Sequence, residues 1–580
     1  MVQAGKKVSR RRLLKGLAVT GGALGFSAVG MNLLSSNPGA PVATPLLGRK
    51  APGYHRYKKP NILMIVTDQE RSWADMHPAL HLPAREALRA QSVHFPNYHV
   101  TTSPCAPSRS VMYTGQHVPV TGMIDNPDLP IIGRSLDSGL PTIGKVLKHA
   151  GYRTAYRGKW HLGKFKGIQR TDKDVLSAYG FDDYGPTDQA VIGEGGVGWT
   201  GYLDDQRIAE GAGRWLVNDA PADQPWFLSV NLFNPHDIMF FDATGRQGET
   251  RISQKALGPL KGLPDDPLYQ HVVTESLPSN FTRPDFEKLP EVHKEFYRIN
   301  QAMFGDMPAN DEAAWLRFIN FYYNCLRDSD RRLATILAAL EASGQADNTI
   351  ILFTSDHGEM AGAHGMRQKG PFIYRENLRV PLTIKHPDAG SGETGALASA
   401  VDLLPTLAAM AGVTYDAAAG VDLSSSVAVP SDAGAREAVL FTYSTLNSMD
   451  ADWSEGGIRM MAAEGPVKKA GTFLGGDPLP DLDKKSFFRG SFDGRYRFAR
   501  YFSPKEHHVP DDWSTLRARN QLELYDTVAD PNELNNLADE AEVNKDLILR
   551  MNSVTNQLVE REIGKDDGRY MPGPDAIWSL

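Results

Sequence analysis

At 580 residues the chain can bury the core of one large domain and a smaller one, and its 41% hydrophobic and 23% charged residues are typical of a globular protein. Its formal net charge of −7 at pH 7 argues against a general nucleic-acid-binding protein. With only two cysteines in the chain, a disulfide-rich scaffold is also excluded.

Residues 1–43 differ in composition from the rest of the chain. They hold six lysines and arginines and no acidic residue, and Ser9–Lys15 carries three consecutive arginines before a glycine-rich, weakly apolar run, 16–34. This pattern resembles the twin-arginine export signal, which implies use of the twin-arginine export machinery and a bacterial periplasmic or secreted protein. A membrane anchor is the alternative; the glycines and the lack of Trp or Tyr at either end argue against it.

The predicted strands and helices alternate along the chain. Short apolar runs predict buried strands at 61–67, 152–156, 226–231 and 349–354. Helical patterns occupy 83–90, 142–150 and 328–343. This alternation predicts an α/β fold with a large mixed, mostly parallel sheet flanked by helices.

Three further segments complete the predicted organisation. Between Met239 and Ala313 the chain is rich in Pro, Gly and polar residues, which predicts a long insertion that walls a pocket. Gly193–Gly198 predicts a flexible loop, because no Lys-Ser/Thr follows to complete a phosphate-cradling loop. From about Arg436 short segments and a late helix, 539–561, predict a smaller α+β domain over 436–580 after a larger domain over 55–435.

Polar side chains follow the predicted strands. Asp68 and Gln69 follow the first strand, His236 follows the third, and Asp356 and His357 follow the fourth. In open α/β sheets this strand edge is where sites form. The oxygen donors suit Ca²⁺ or Mg²⁺, and the imidazole nitrogen also allows Mn²⁺. An aspartate at a strand end can instead be only a helix cap.

Cys105 opens a predicted helix, in the stretch Cys105–Arg109, with Thr114 and Gly115 nine and ten residues on. A helix N-terminus lowers the pKa of a thiol. The alternative is a buried thiol that only fills space, and this is the interpretation we favour for Cys325.

The Cys-x-Pro-Ser-Arg spacing resembles the sulfatase signature, in which the cysteine is converted to formylglycine. Other segments that resemble sulfatases follow in the family's order. They are Pro60–Leu63, Gly158–Gly163, Thr354–Glu359, Val401–Thr406, and Glu523–Asp526 with Asp530–Pro531. The resemblance implies a divalent-metal hydrolase of the alkaline-phosphatase-like superfamily and makes 55–435 the catalytic domain.

The resemblance also implies roles for single residues. Cys105, oxidised by a formylglycine-generating enzyme, is the nucleophile, because an aldehyde hydrate can expel sulfate whereas a thiolate would leave a stable thiosulfate ester. Arg109 holds the modified side chain against one divalent metal, with Ca²⁺ preferred and Mn²⁺ or Mg²⁺ as alternatives. The implied metal ligands are Asp68, Gln69, residue 105, Asp356 and His357.

Five cationic or titratable residues complete the expected site. Lys159 and Lys369 stabilise charge on the sulfuryl oxygens together with the metal. His161 is the candidate base for the second hydroxyl, and His236 the candidate acid for the leaving oxygen. Lys159, Lys369 and His236 are also expected to bind substrate, and His364 is a further candidate for that pocket.

The predicted function is an exported sulfatase that acts on a small-molecule or saccharide sulfate ester. A phosphonate monoester or phosphodiester hydrolase of the same superfamily is the alternative, since it can share the formylglycine motif and the metal set. A non-catalytic ligand-binding protein is expected if Cys105 is never oxidised. A cysteine protease is disfavoured, because no Cys-His pairing context surrounds the motif.

Overall fold

The computed structural model describes residues 59–127, 134–163, 174–185, 199–253, 260–416, 419–431, 434–464, 480–506 and 509–566. The predicted export segment, 1–43, and the Gly193–Gly198 loop lie outside the described residues. Among the residues described, no helix combines the length and the hydropathy that crossing a membrane requires.

The strands form a large sheet and two smaller ones. They are β1 (Asn61–Asp68), β2 (Val93–His94), β3 (Tyr98–His99), β4 (Arg153–Gly158), β5 (Asp183–Gly185), β6 (Trp226–Pro235), β7 (Thr349–Ser355), β8 (Leu382–Lys385), β9 (Gly392–Glu393), β10 (Ala398–Ser399), β11 (Val439–Tyr443), β12 (Phe487–Phe492), β13 (Tyr496–Phe502) and β14 (Gln521–Asp526).

The helices surround the large sheet and the C-terminal sheet. They are α1 (Pro83–Ala90), α2 (Cys105–Thr114), α3 (Val118–Thr121), α4 (Ile143–His149), α5 (Thr200–Asn218), α6 (Gln247–Thr250), α7 (Glu291–Phe304), α8 (Glu312–Ala342), α9 (Arg375–Leu378), α10 (Leu403–Met410), α11 (Ser424–Ala428), α12 (Ala451–Glu464), α13 (Trp513–Arg519) and α14 (Lys545–Glu562).

The large sheet has eight strands in the order β5-β4-β6-β1-β7-β8-β2-β9. β1 pairs in parallel with both β6 and β7, and β4 pairs in parallel with β6. β8 is antiparallel to β7 and to β2, so the sheet is mixed but mostly parallel. The predicted fold class is confirmed. Because β4, β6, β1 and β7 are parallel, their carboxyl ends lie at one edge.

Alternate side chains of β1 enter two different hydrophobic clusters. Ile62, Met64 and Val66 pack in a cluster with side chains of α2, α4 and α10. Leu63 and Ile65 point the other way, into a cluster with side chains of α5 and α8. Both faces of the sheet are therefore covered, and this explains why the central strands are continuous apolar runs.

The predicted helix at 328–343 is the second half of a longer helix, α8. Its true start is fixed by Asp311, whose side chain accepts a hydrogen bond from the backbone N–H of Ala314 at 3.0 Å. The predicted insertion 239–313 is not all loop, since it contains α7. The first half of α8 buries side chains on several faces, among them Phe321, Tyr322 and Tyr323, and this hides the helical period. The helix α7 lies within a stretch rich in Pro, Gly and polar residues.

The C-terminal part contains an antiparallel sheet, β11-β12-β13-β14, with α14 packed against it. This agrees with the predicted smaller α+β region. Tyr443, Phe487 and Phe488 belong to the same hydrophobic cluster as one face of the large sheet. The boundary between 435 and 436 stays a prediction.

Gly158, at the end of β4, supports a testable prediction about this edge. Its φ is +89°, and a Cβ there would lie 1.9 Å from the carbonyl oxygen of Asn231 on β6. Gly158→Ala should lower the free energy of unfolding by about 3 kcal/mol or more, measured by denaturant titration. Gly151→Ala is the matched control, because its φ of +91° is equally strained but a Cβ meets nothing within 4 Å. We expect it to cost about 1–2 kcal/mol, and equal losses in the two variants would contradict the role of the close contact.

Candidate active site

Four of the predicted site residues meet at the carboxyl edge of the sheet. Asp68 is the last residue of β1, and Asp356 follows β7 directly. Lys159 follows β4, and His236 follows β6. All four side chains are buried. Parallel strand order thus brings together groups that lie almost 300 residues apart in the chain.

Cys105 begins α2 and is 1% exposed. Its Sγ is 3.2 Å from Nε2 of His357 and 3.7 Å from Oδ1 of Asp68. In the first turn of the helix, the backbone N–H of Ala106 donates to Oδ1 of Asn126 at 3.0 Å. The start of α2 therefore places the thiol against the strand-end cluster.

The Cys105 thiol lies among cations. Burial alone would raise its pKa, but Lys159, Lys369 and His357 outweigh burial and hold the pKa well below its usual range. The side chain of His161 also hydrogen-bonds the sulfur. A position that favours a thiolate also favours the negative oxygens of a sulfuryl group.

Four side chains form a candidate metal centre. The ligand atoms of Asp68, Cys105, Asp356 and His357 all lie within 4.8 Å of one another. Nδ1 of His357 lies 3.0 Å from the carbonyl oxygen of Gly358. Because that carbonyl accepts the Nδ1 proton, Nε2 is the ring nitrogen that faces the cluster, and it can bind a cation once its own proton has left.

The charges of this cluster fit a divalent cation. Burial and the neighbouring Asp68 raise the pKa of Asp356 to about 6. Burial would also raise the pKa of Asp68, but Lys159, His236 and His357 together lower it. Crowded carboxylates with one imidazole nitrogen are a donor set that Ca²⁺, Mg²⁺ or Mn²⁺ accepts, and a cation would relieve their repulsion.

Gln69 and Lys369 complete the floor of the site. Gln69 follows β1 with a φ of +74°. Its Oε1 accepts a hydrogen bond from Nζ of Lys369 at 2.6 Å, and the same Nζ lies 2.7 Å from Sδ of Met239. Lys159 donates to Asp68. The two lysines, placed by separate loops, are thus both held beside oxygen ligands.

His161 and His236 line the same pocket as Cys105. Burial, then Lys159, lowers the pKa of His236 to about 4, so its imidazole is neutral at pH 7 in the free protein. A neutral imidazole can still donate an N–H to a leaving oxygen. An anion bound beside Lys159 and Lys369 would offset their charge and raise the pKa of His236.

Arg109 hydrogen-bonds the elements around the cluster, and its predicted role toward the modified side chain stays a prediction. Its buried guanidinium donates to Oδ2 of Asp356 at 3.3 Å, to Oδ1 of Asn231 at 2.5 Å, and to the carbonyl oxygens of Lys159 at 2.6 Å and Trp160 at 3.0 Å. These bonds direct it to Asp356 and the Lys159 turn. Arg109 is a positioning residue beneath the site.

His364 is not among the residues that line the pocket above Cys105, and its predicted role in binding substrate stays a prediction. Its ring stacks on Tyr374 with 3.7 Å between ring centroids, and Nε2 lies 3.4 Å from Nδ2 of Asn280. Its nearest acidic neighbours are Glu376 and Glu533. Gly362 and Gly365, with φ of +92° and +66°, form the turn that holds His364.

Sequence reasoning missed the residues that hold the predicted ligands in place. Asn231 joins Arg109 to the end of β6, and Asn126 caps the start of α2. Glu359 and Gln368 both hydrogen-bond the side chain of Gln69. Of these four residues, only Glu359 belongs to a segment that the sequence analysis had singled out, Thr354–Glu359.

The pocket above Cys105 has a volume of about 190 Å³ and two unlike walls. One wall is apolar and comes from α7 and the turn that follows β6: Met239, Phe240, Phe296, Ile299, Met303 and Phe304. A second, polar group of lining residues comes from two other chain segments: Asp125, Asn126, Tyr443, Thr445, Asn447 and Ser448. The predicted insertion does wall a pocket, and the C-terminal part supplies some of the polar lining.

A comparison with models of known protein families identifies the family of this chain. The sulfatase family model matches residues 60–413, more than half of the chain, and the chain belongs to the sulfatase family. It is an enzyme, a hydrolase of sulfate esters. The resemblance stated from the sequence motifs is confirmed.

Similar proteins agree with this family. The ulvan-active sulfatase of Formosa agariphila is 28% identical over 401 residues, 66% of this chain and 68% of that protein. A 2-O GAG sulfatase shares the fold with a TM-score of 0.62 and 20% identity, over 89% of this chain and 94% of that one. The phosphonate monoester hydrolase of Agrobacterium radiobacter also shares the fold, with a TM-score of 0.59 and 19% identity, over 87% of this chain and 96% of that one.

Proposed function

We propose that the protein cleaves sulfate esters through a formylglycine at position 105 and one divalent metal. The observation that carries this proposal is the position of Cys105, at a helix start between two lysines and a cluster of two carboxylates and one imidazole. A formylglycine-generating enzyme would supply the aldehyde, and its hydrate would give position 105 two hydroxyl groups.

The residues that would hold the metal are Asp68, Gln69, residue 105, Asp356 and His357. Ca²⁺ is the preferred ion, with Mn²⁺ and Mg²⁺ as alternatives. When bound, the cation would polarise the sulfuryl oxygens and favour an ionised hydroxyl at position 105. Lys159 and Lys369 add positive charge at the same oxygens.

The chain's own residues then account for the proton transfers. One ionised hydroxyl oxygen of residue 105 bonds to sulfur while the bond from sulfur to the ester oxygen breaks. His236, protonated once the bound ester offsets the charge of Lys159 and Lys369, gives its proton to the departing alcohol. His161 next takes the proton of the second hydroxyl. The aldehyde re-forms as the bond from carbon to the sulfate oxygen breaks, sulfate leaves, and water restores the hydrate.

The two walls of the pocket support a ring-bearing alcohol as the leaving group. Phe240, Phe296 and Phe304 offer aromatic surface, and Asn126 and Asn447 line the same pocket as polar residues. An aryl or saccharide ring has an apolar face for the first wall and an edge or hydroxyls for the second. Saccharide substrates fit the names of the ulvan-active and GAG sulfatases among the similar proteins.

Cys105→Ala should abolish sulfate-ester turnover, because alanine cannot be converted to an aldehyde. We expect kcat/KM for an aryl sulfate to fall by about 10⁴-fold or more, with an unchanged circular dichroism spectrum. The matched control is Cys325→Ala, which removes the other buried free cysteine and should keep activity. Surviving activity in the first variant would refute the mechanism. Mass spectrometry of the Cys105 peptide from the native host checks the modification itself.

The second candidate function is hydrolysis of phosphonate monoesters or phosphodiesters, favoured by the imidazole ligand His357 and the structural likeness to a phosphonate monoester hydrolase. We expect kcat/KM for an aryl sulfate to exceed that for the methylphosphonate of the same phenol by about 10-fold or more. A sulfuryl group offers three non-bridging oxygens to the cations, whereas a phosphonate replaces one with carbon. A ratio below one would make the second function the correct one.

Export through the twin-arginine machinery is also part of the proposal, on the basis of Arg10–Arg12 and the run that follows. Replacing all three arginines by lysine should leave the protein in the cytoplasmic fraction, measured by immunoblot of fractionated cells, because the machinery reads arginine and not charge alone. Lys6→Ala with Lys7→Ala is the control and should still be exported. Unchanged export of the triple variant would argue against this route.

A further inference from the structure

Glu359 contacts two parts of the active site without belonging to the proposed ligands. Its side chain is completely buried. Oε1 accepts hydrogen bonds from the backbone N–H groups of Ala361 at 2.9 Å and Gln368 at 2.7 Å. Oε2 accepts one from Nε2 of Gln69 at 2.5 Å. One carboxylate therefore holds both a proposed metal ligand and the residue before Lys369.

The bond to Gln69 fixes which atom of its amide faces the site. A glutamine side chain has an oxygen that can bind a cation and an NH₂ group that cannot, and the two are nearly equal in shape. Both N–H bonds of Gln69 have acceptors, since Nε2 also lies 3.3 Å from Oε1 of Gln368. Its own Oε1 is left on the side of Lys369.

We propose that Glu359 is a positioning residue that orients the amide of Gln69 so that its oxygen, and not its NH₂ group, faces the metal. The carboxylate of Glu359 can accept hydrogen bonds but cannot donate them. In the opposite amide orientation, Oε1 of Gln69 would therefore lie against a carboxylate oxygen. It would also turn the NH₂ group toward the ammonium of Lys369. The inference deepens the proposed function and rests on the metal site described there.

Glu359→Gln tests the idea with almost no change of shape. The two backbone N–H groups hold the new amide oxygen at the Oε1 position, so the new NH₂ group must face Nε2 of Gln69. Two NH₂ groups cannot hydrogen-bond each other, and the Gln69 amide must flip or withdraw. Titration of chelator-treated protein with Ca²⁺ in a calorimeter should show a Kd about 10- to 100-fold weaker than that of the unaltered protein.

The rescue variant distinguishes this role from simple packing. In Glu359→Gln with Gln69→Glu, the NH₂ group at 359 donates to a carboxylate at 69, whose second oxygen again faces Lys369 and the metal. Ca²⁺ affinity should return to the range of the unaltered protein. Gln69→Glu alone sets two carboxylates in contact and should bind Ca²⁺ more weakly than the double variant.

A matched control uses the same substitution at another buried carboxylate. Glu523 lies in the C-terminal sheet and accepts hydrogen bonds from Tyr501 at 2.5 Å and Tyr525 at 2.8 Å. Glu523→Gln should leave the Ca²⁺ affinity unchanged. Thermal unfolding without metal checks that each variant folds.

Two results would overturn the inference: Glu359→Gln binding Ca²⁺ as tightly as the unaltered protein, or the double variant binding no more tightly than Gln69→Glu alone. The second comparison holds even if Glu359→Gln by itself fails to fold. Failure of the proposed function would be distinct, because it would appear as absent Ca²⁺ binding in the unaltered protein or absent aryl sulfate turnover.

Discussion

The site depends on keeping two carboxylates buried side by side. The register that pairs Thr67 with Ser355 puts Asp68 and Asp356 at adjacent strand ends, with both side chains removed from water. Two such charges repel, and burial without partners would cost several kcal/mol for each ion. Lys159 supplies the compensating charge at Asp68, and Arg109 supplies it at Asp356. This arrangement also leaves oxygen atoms for a further cation.

The compensating groups reach the carboxylates only because neighbouring backbone segments pass very close to each other. Lys159 follows Gly158, where no side chain could stand against β6, and its N–H donates to the carbonyl oxygen of Asn231 at 3.1 Å. The side chain of Asn231 in turn accepts from Arg109. The two cations are therefore placed by one junction between β4 and β6, and a shift of either strand would disturb both.

The central strands and their polar ends could be predicted from sequence, because a buried parallel strand is a local apolar run and the site residues follow it directly. The contacts of Arg109 and His364 could not be predicted from the sequence. A guanidinium can reach in several directions, and only the folded structure shows that Arg109 donates to Asp356. His364 is held by stacking on Tyr374, a contact with no local pattern. The helix α7 was not predicted, although Val292, Phe296 and Ile299 follow a helical spacing, because it lies within a stretch rich in Pro, Gly and polar residues.

The site consists of strand-end residues and of loop residues above them, and this bears on the choice between sulfate and phosphonate esters. Sulfate monoesters, phosphonate monoesters and phosphodiesters each carry one negative charge at neutral pH, so the lysines and the carboxylate cluster do not by their charge distinguish them. The three differ in the fourth group on the central atom, an oxygen, a carbon or an alkoxy group. Selectivity between the three esters must therefore come from the space and hydrogen-bond donors around that group, beside His161, His236 and Lys369. The residues at the strand ends therefore account for the reaction, and the loops above them account for the preference for one ester.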